Sequence, residues 1–232
     1  MPVIVFISPK GGAGKTTSTL VLAEQLAKKT DVTVIDADPN RPIQTWAKGP
    51  HTPVRMSVVA DADEENIIEK IEESAEKTPF VLVDLEGTAA KIVLLAVSQA
   101  DLVIIPTQGS QLDAVQATRA LRVVKQQEKM SRRPVAHRIL LTRTGAVIRT
   151  RNMAHIIDSY VTAGVKVFDT ELNEREAFKA MFAFSEPLSS LDPTQVSNIE
   201  KAIVNAEAFA AEVVSILRRN AVGDHAGERE VV

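Results

Sequence analysis

A glycine-rich stretch, Ser8-Pro9-Lys10-Gly11-Gly12-Ala13-Gly14-Lys15-Thr16-Thr17, stands between the apolar run at 3–7 and a helix-forming segment. A strand, a tightly turning loop and a helix opening on Gly-Lys-Thr make a phosphate cradle: loop amides converge on an anion, and the helix start adds unpaired N–H donors and the positive end of its dipole. Gly11, Gly12, Ala13 and Gly14 would wrap the phosphates with their backbone, and Lys15, Thr16 and Thr17 would complete the cradle. The Lys15 ammonium is placed for the β and γ groups and the Thr16 hydroxyl for Mg²⁺. The general pattern has glycine five residues before Gly14, where this chain has Pro9, and a second lysine, Lys10, sits inside the loop. Lys10 has no evident use in a subunit already supplied with Lys15.

Downstream, short β-rich runs alternate with longer helical ones. Strands are predicted over 3–8, 32–36, 55–59, 80–85, 102–107, 138–142 and 166–168, and helices over 16–29, 64–77, 89–99, 111–130, 150–163 and 174–184. The strands are almost wholly apolar, as in Val-Leu-Val-Asp or Leu-Val-Ile-Ile-Pro, which implies burial on both faces. The expected class is α/β, a doubly wound, mostly parallel sheet with helices on both faces, of the P-loop NTPase type, its ligands at the carboxyl ends of the strands. Asp192 as N-cap and Pro193 at the first helical position predict a last helix running to about Asn220. A single domain over 1–220 and a disordered tail over 221–232 are expected, the tail because it has two glycines, mixed charges and no periodicity.

Two further segments carry acids where phosphate chemistry needs them. The second strand ends in Asp36-Ala37-Asp38-Pro39-Asn40, and carboxylates two residues apart on a strand share a side, so both can approach a metal shell or an attacking water. The strand at 80–85 delivers Asp84, placed to hold Mg²⁺ through a bound water. Asp84-Leu85-Glu86-Gly87 also has the spacing by which a glycine amide can sense a γ-phosphate. Glu86 is either a water-polarising group or a solvated loop carboxylate.

Together with the 100–110 segment Ala-Asp-Leu-Val-Ile-Ile-Pro-Thr-Gln-Gly-Ser, these motifs resemble the ParA/MinD family of deviant Walker-A ATPases over residues 1–220. The resemblance is greatest to short ParA plasmid-partition proteins, which lack an N-terminal helix-turn-helix domain, and to VirC-type conjugation ATPases, through Leu140–Thr144 and Ile148–Arg151. It implies ATP and Mg²⁺ as ligands, an ATP-dependent homodimer, and a small ParB-like adaptor that stimulates hydrolysis. It further implies that Lys10 crosses to the partner's phosphates, that Asp38 positions hydrolytic water, and that Asp36 and Asp84 organise magnesium with Thr16. Two departures stand out: Asp84-Leu85-Glu86-Gly87 replaces the usual Asp-Thr-Pro continuation, and Asp38-Pro39-Asn40 replaces Asp-Pro-Gln.

Charge is unevenly placed. Ten Lys/Arg between Arg119 and Arg151 face one acid, Glu128, so that segment carries +9 and the remainder −12 of the net −3. Either a solvated helix face or a polyanion-facing side produces such asymmetry. With the resemblance, Arg119, Lys125, Lys129 and Arg133 on one helix face, and Arg149 and Arg151 opening a later helix, are expected to bind double-stranded DNA without sequence preference. A MinD-like membrane-associated positioning ATPase is the alternative within the family. It needs an apolar and basic C-terminal helix, but residues 224–232 are acidic and glycine-containing. Absence of cysteine excludes iron–sulfur ligation and thiolate zinc. A P-loop small-molecule ligase stays open. No apolar run reaches the ~18 residues that span a bilayer, so a cytoplasmic, nucleoid-associated protein with no membrane partner is expected.

Overall fold

The computed structural model describes residues 1–87, 90–145 and 151–227. Among the described residues seven parallel strands lie in the order β3-β2-β4-β1-β5-β6-β7: β1 (Val3–Phe6), β2 (Val32–Ala37), β3 (Met56–Val59), β4 (Phe80–Leu85), β5 (Leu102–Thr107), β6 (His137–Thr144) and β7 (Leu172–Asn173). Every residue of β1, β2 and β5 is buried, which is why these strands read as unbroken apolar runs without alternation.

Helices cover both faces. α1 (Lys15–Ala27), the short α2 (Pro42–Trp46), α7 (Glu176–Phe184) and α8 (Ile199–Gly227) pack on one side, through Leu20, Trp46, Phe178, Met181 and Phe209. α3 (Ile67–Lys77), α4 (Ala90–Ser98), α5 (Gln111–Ser131) and α6 (Arg151–Thr162) pack on the other, through Ile71, Val97, Val124 and Ile156. Each such fully buried side chain contributes roughly 1.5–3 kcal/mol. Since all strands are parallel, their carboxyl ends share one edge of the sheet, and the loops after β1, β2, β4 and β5 converge there. Asp36 and Asp84 are register partners across β2 and β4, so both acids stand at the same level.

Three expected elements differ. The run at 166–168 makes only an isolated bridge, Ile139 with Val167, and the paired strand is Leu172–Asn173. The amides of Asp169 and Thr170 are drawn off the sheet by the Glu212 carboxylate of α8, at 2.9 and 2.8 Å, and Arg143 at φ 52° shifts the register between Thr142 and Thr144. Asp192 does accept the Thr194 amide, at 2.8 Å, but caps a single turn; Asn198 at φ 57° interrupts it and α8 starts at Ile199. α8 then runs to Gly227, past the end expected near Asn220, so 221–227 is helical and the rest of the expected tail, 228–232, lies outside the described residues. α2 has no counterpart among the expected helices: the Asp36 carboxylate reaches over seven residues to accept the Ile43 and Gln44 amides at 2.8 and 2.9 Å, and Trp46 anchors the helix by donating to the Met181 carbonyl at 2.9 Å.

Candidate active site

The loop after β1 turns into α1 through Gly14 at φ 98°, a conformation open to glycine, and no side chain caps the helix. The first amides of α1 therefore stay available to an anion. Gly87, after β4, passes so close that a Cβ there would lie 2.7 Å from the Ser8 carbonyl oxygen, so only glycine lets the β4 loop touch the start of the phosphate loop.

Lys15 is buried and its ammonium approaches the Ser8 carbonyl at 3.4 Å. Burial lowers its pKa, and the negative charges of Asp84, Asp38 and Glu86 act against that. Asp84 is fully buried and pushed up to about 7, first by burial and then by Asp36 and Asp38, while the neighbouring Thr16 hydroxyl and Lys15 favour its charged form. Neither Asp84 carboxylate oxygen completes a hydrogen bond within the protein. Asp36 is divided: Oδ2 caps α2, whereas Oδ1 is buried without a partner, and burial raises this acid too. Asp38 is half-buried, and its Oδ1 accepts the Asn40 amide and side-chain amide at 2.9 and 3.0 Å.

Unsatisfied buried oxygens on Asp84 and Asp36 beside the Thr16 hydroxyl form a hard-oxygen donor set that suits magnesium. No group of three or more His, Cys, Asp or Glu among the described residues would cage a metal alone. An ion here would need phosphate oxygens to complete its shell, as Mg²⁺ commonly does.

Lys10 has a partner inside its own chain. Its ammonium meets Asp113 Oδ1 at 2.6 Å, with the Asp113 side chain buried and Lys10 half exposed. Asp113 also accepts the Ser110 hydroxyl, while Ser110 Oγ caps α5 by accepting the Asp113 amide at 3.2 Å. The view that Lys10 lacks a use within one subunit is thus corrected: an intrachain carboxylate holds it. Asp113 is not among the residues that the motifs single out, although Ser110-x-x-Asp113 before an apolar stretch is a helix-start signature.

Alongside Gly14 a cavity of about 310 Å³ is lined by Thr17, Ser18, Arg143, Asn173, Arg175 and Phe178 among others. It adjoins the phosphate loop and falls within the size of small-molecule sites. A hollow of about 450 Å³ beside Arg138, Ile157 and Lys166 contains none of the phosphate-loop residues.

The expected DNA surface is only partly assembled. Arg119, Lys125 and Lys129 are exposed along α5, joined by Arg122. Arg133 leaves that face, because α5 ends at Ser131, Arg132 turns at φ 55°, and the Arg133 guanidinium pairs with Asp101 at 3.4 Å. Arg151 opens α6, and Arg149 lies outside the described residues. Among the described residues no helix is long and apolar enough to cross a membrane.

A parallel sheet in this strand order, a lysine-bearing phosphate loop after β1 and acids ending β2 and β4 define a P-loop ATPase of the ParA/MinD class. Solved structures agree on the fold. MinD, the cell division ATPase of Pyrococcus furiosus, superposes with a TM-score of 0.71 at 17% identity, over 93% of this chain and 99% of that one. An ATP complex of McdA from Cyanothece superposes at 0.69 with 18% identity, over 92% and 96%. In sequence, the chain is 38% identical over 214 residues to Protein ParA of Rhizobium radiobacter, covering 92% of this chain and 96% of that protein. The VirC1 protein family model matches residues 1–217, and the chain belongs to that family within the ParA/MinD class.

Proposed function

We propose that this chain is an ATPase that closes into a dimer around ATP, holds duplex DNA without sequence preference in that state, and is driven to hydrolyse by a ParB-like adaptor. Its work is the partition or positioning of plasmid or chromosomal DNA. The observation that carries the reading is the pair of unsatisfied buried acids, Asp84 and Asp36, beside buried Lys15 at the uncapped start of α1. Burying charged or polar groups without partners costs several kcal/mol, and a magnesium-bound triphosphate satisfies all of them together.

Each residue then has a defined task. The Gly11–Gly14 backbone and the first amides of α1 bind phosphate oxygens, and the Lys15 ammonium neutralises the terminal ones. Thr16, Asp84 and Asp36 Oδ1 would hold the magnesium ion, which supplies positive charge to the phosphates. Asp38, with Oδ1 held in its own turn by Asn40, orients the attacking water. Lys10 exchanges Asp113 for phosphate oxygens of the second subunit. The cavity beside Gly14 takes the nucleoside. Exposed Arg119, Arg122, Lys125 and Lys129 supply phosphate contacts to DNA, with Arg149 and Arg151 as the further proposed contacts.

The 38% identity to a protein named ParA supports a partition role. The VirC1 family match supports a second reading, service to conjugative DNA transfer, which shares the nucleotide and DNA steps and differs in cargo. The test is light scattering, phosphate release and anisotropy with a random-sequence duplex, with and without Mg²⁺ and ATP. The expected result is an ATP-dependent dimer that binds DNA and a Lys15→Ala variant that does neither. A wild-type chain that stays monomeric and indifferent to ATP overturns the proposal.

A further inference from the structure

Two side chains grip the phosphate loop from behind, and neither belongs to its motif. Thr142 on β6 is buried; its Oγ1 lies 2.8 Å from the Ala13 carbonyl oxygen and 3.3 Å from that of Thr107. A hydroxyl has one proton, and the shorter contact takes it. Its methyl sits under the loop, 3.3 Å from where a Cβ on Gly14 would be. Gln108, just after β5, donates from Nε2 to the Gly12 carbonyl at 2.9 Å.

Peptide groups are planar and trans, so a carbonyl held on one side of the chain fixes the next residue's N–H on the other. Gln108 on the Gly12 carbonyl thereby orients the Ala13 amide, and Thr142 on the Ala13 carbonyl orients the Gly14 amide. We propose that Thr142 and Gln108 are positioning residues that pre-set these two loop amides toward an anionic ligand, the nucleotide phosphates. The inference rests on the ATPase reading above. An unclamped loop spends part of its time with those amides turned away, and apparent affinity falls by the competent fraction.

Thr142 permits separation of its two contacts. Thr142→Val keeps the shape and removes the donor; Thr142→Ser keeps the donor and removes the methyl. Binding is read with Mg²⁺ and N-methylanthraniloyl-ATP, alongside melting temperature and hydrogen exchange of the Ala13 and Gly14 amides in nucleotide-free protein. Thr142→Val is expected to raise Kd about tenfold, as for loss of one buried hydrogen bond, with altered exchange at the Gly14 amide that its bond orients. Thr142→Ser should stay within about twofold of wild type, and Gln108→Ala, which removes a more exposed hydrogen bond, should raise Kd by roughly threefold, near the low end of a hydrogen bond's worth. A Thr142→Val variant that melts lower but binds with wild-type affinity and exchange overturns the inference, as does a Thr142→Ser variant as weak as Thr142→Val. If Thr142→Val does not fold, Gln108→Ala decides, and unchanged Kd and exchange there reject the clamp. Wild-type protein that binds no nucleotide overturns the ATPase reading and this inference with it; unchanged affinity in both variants overturns the inference alone.

Discussion

Asp84→Asn offers the most direct test of the site's electrostatics, because a single buried acid makes nucleotide-free protein pH-sensitive in a calculable way. Burial lifts the Asp84 pKa from 3.8 to about 7. Between those values the folded chain keeps a proton that the unfolded chain has released. The stability this confers is complete below about pH 4 and is lost as pH rises through about 7, some 4 kcal/mol in all at 1.36 kcal/mol per pH unit. Over the accessible range from pH 5.5 to 8.5 about 2 kcal/mol of that loss falls. Asparagine has the same shape and does not titrate. Any offset from its buried amide is constant with pH, so the informative quantity is the change in the wild-type-to-variant difference. Urea unfolding in EDTA without nucleotide should show wild-type protein losing about 2 kcal/mol relative to Asp84→Asn across that range. Glu24 titrates alike in both proteins and cancels, whereas Asp36 and Lys15 feel the Asp84 charge, so the difference reports Asp84 together with these two neighbours. With Mg²⁺ and ATP the variant is expected to gain less stability than wild-type protein, since it lacks the charge that the ion requires. Parallel pH profiles for the two proteins would refute the assignment of a strained, unsatisfied Asp84.

Lys10→Ala should still bind nucleotide yet fail to dimerise or hydrolyse; an unchanged ATP-dependent mass in light scattering would return Lys10 to its intrachain role with Asp113. Asp38→Ala should slow hydrolysis by roughly 10²–10⁴-fold while the ATP dimer persists, and a normal rate of phosphate release would move the water-orienting role, with Glu86 the next to test. Replacing Lys125 and Lys129 by Ala should lower the log–log salt slope of DNA binding by about 0.9 for each DNA phosphate that the variant no longer neutralises, and leave ATP-dependent dimerisation intact. An unaltered slope would remove α5 from the DNA surface.

Much of this molecule is legible in its sequence. Runs such as Val-Leu-Val-Asp and Leu-Val-Ile-Ile-Pro specify doubly buried parallel strands, and Gly-Lys-Thr at a strand-to-helix turn specifies a phosphate loop, because both signals are local: a period, a backbone conformation, a helix start. Parallel topology then brings Asp36, Asp38 and Asp84 to the same edge with no further information. What stays hidden depends on contacts between residues far apart in the chain. Lys10 meets Asp113 across 103 positions, and Thr142 reaches Ala13 across 129. The sequence presents Asp36 only as an acid for a metal shell or an attacking water, but its Oδ2 is committed to α2, which has too few residues to show a period. The short β7 falls outside the expected strand because Glu212, from a distant helix, takes the amides of Asp169 and Thr170. Arg133 has the helical spacing of the basic face, yet the left-handed turn at Arg132 sends it to Asp101. Local sequence determined the elements and the chemistry at their ends; tertiary structure decided which donors and acceptors, hundreds of atoms apart along the chain, satisfy one another and which acids are left without a partner.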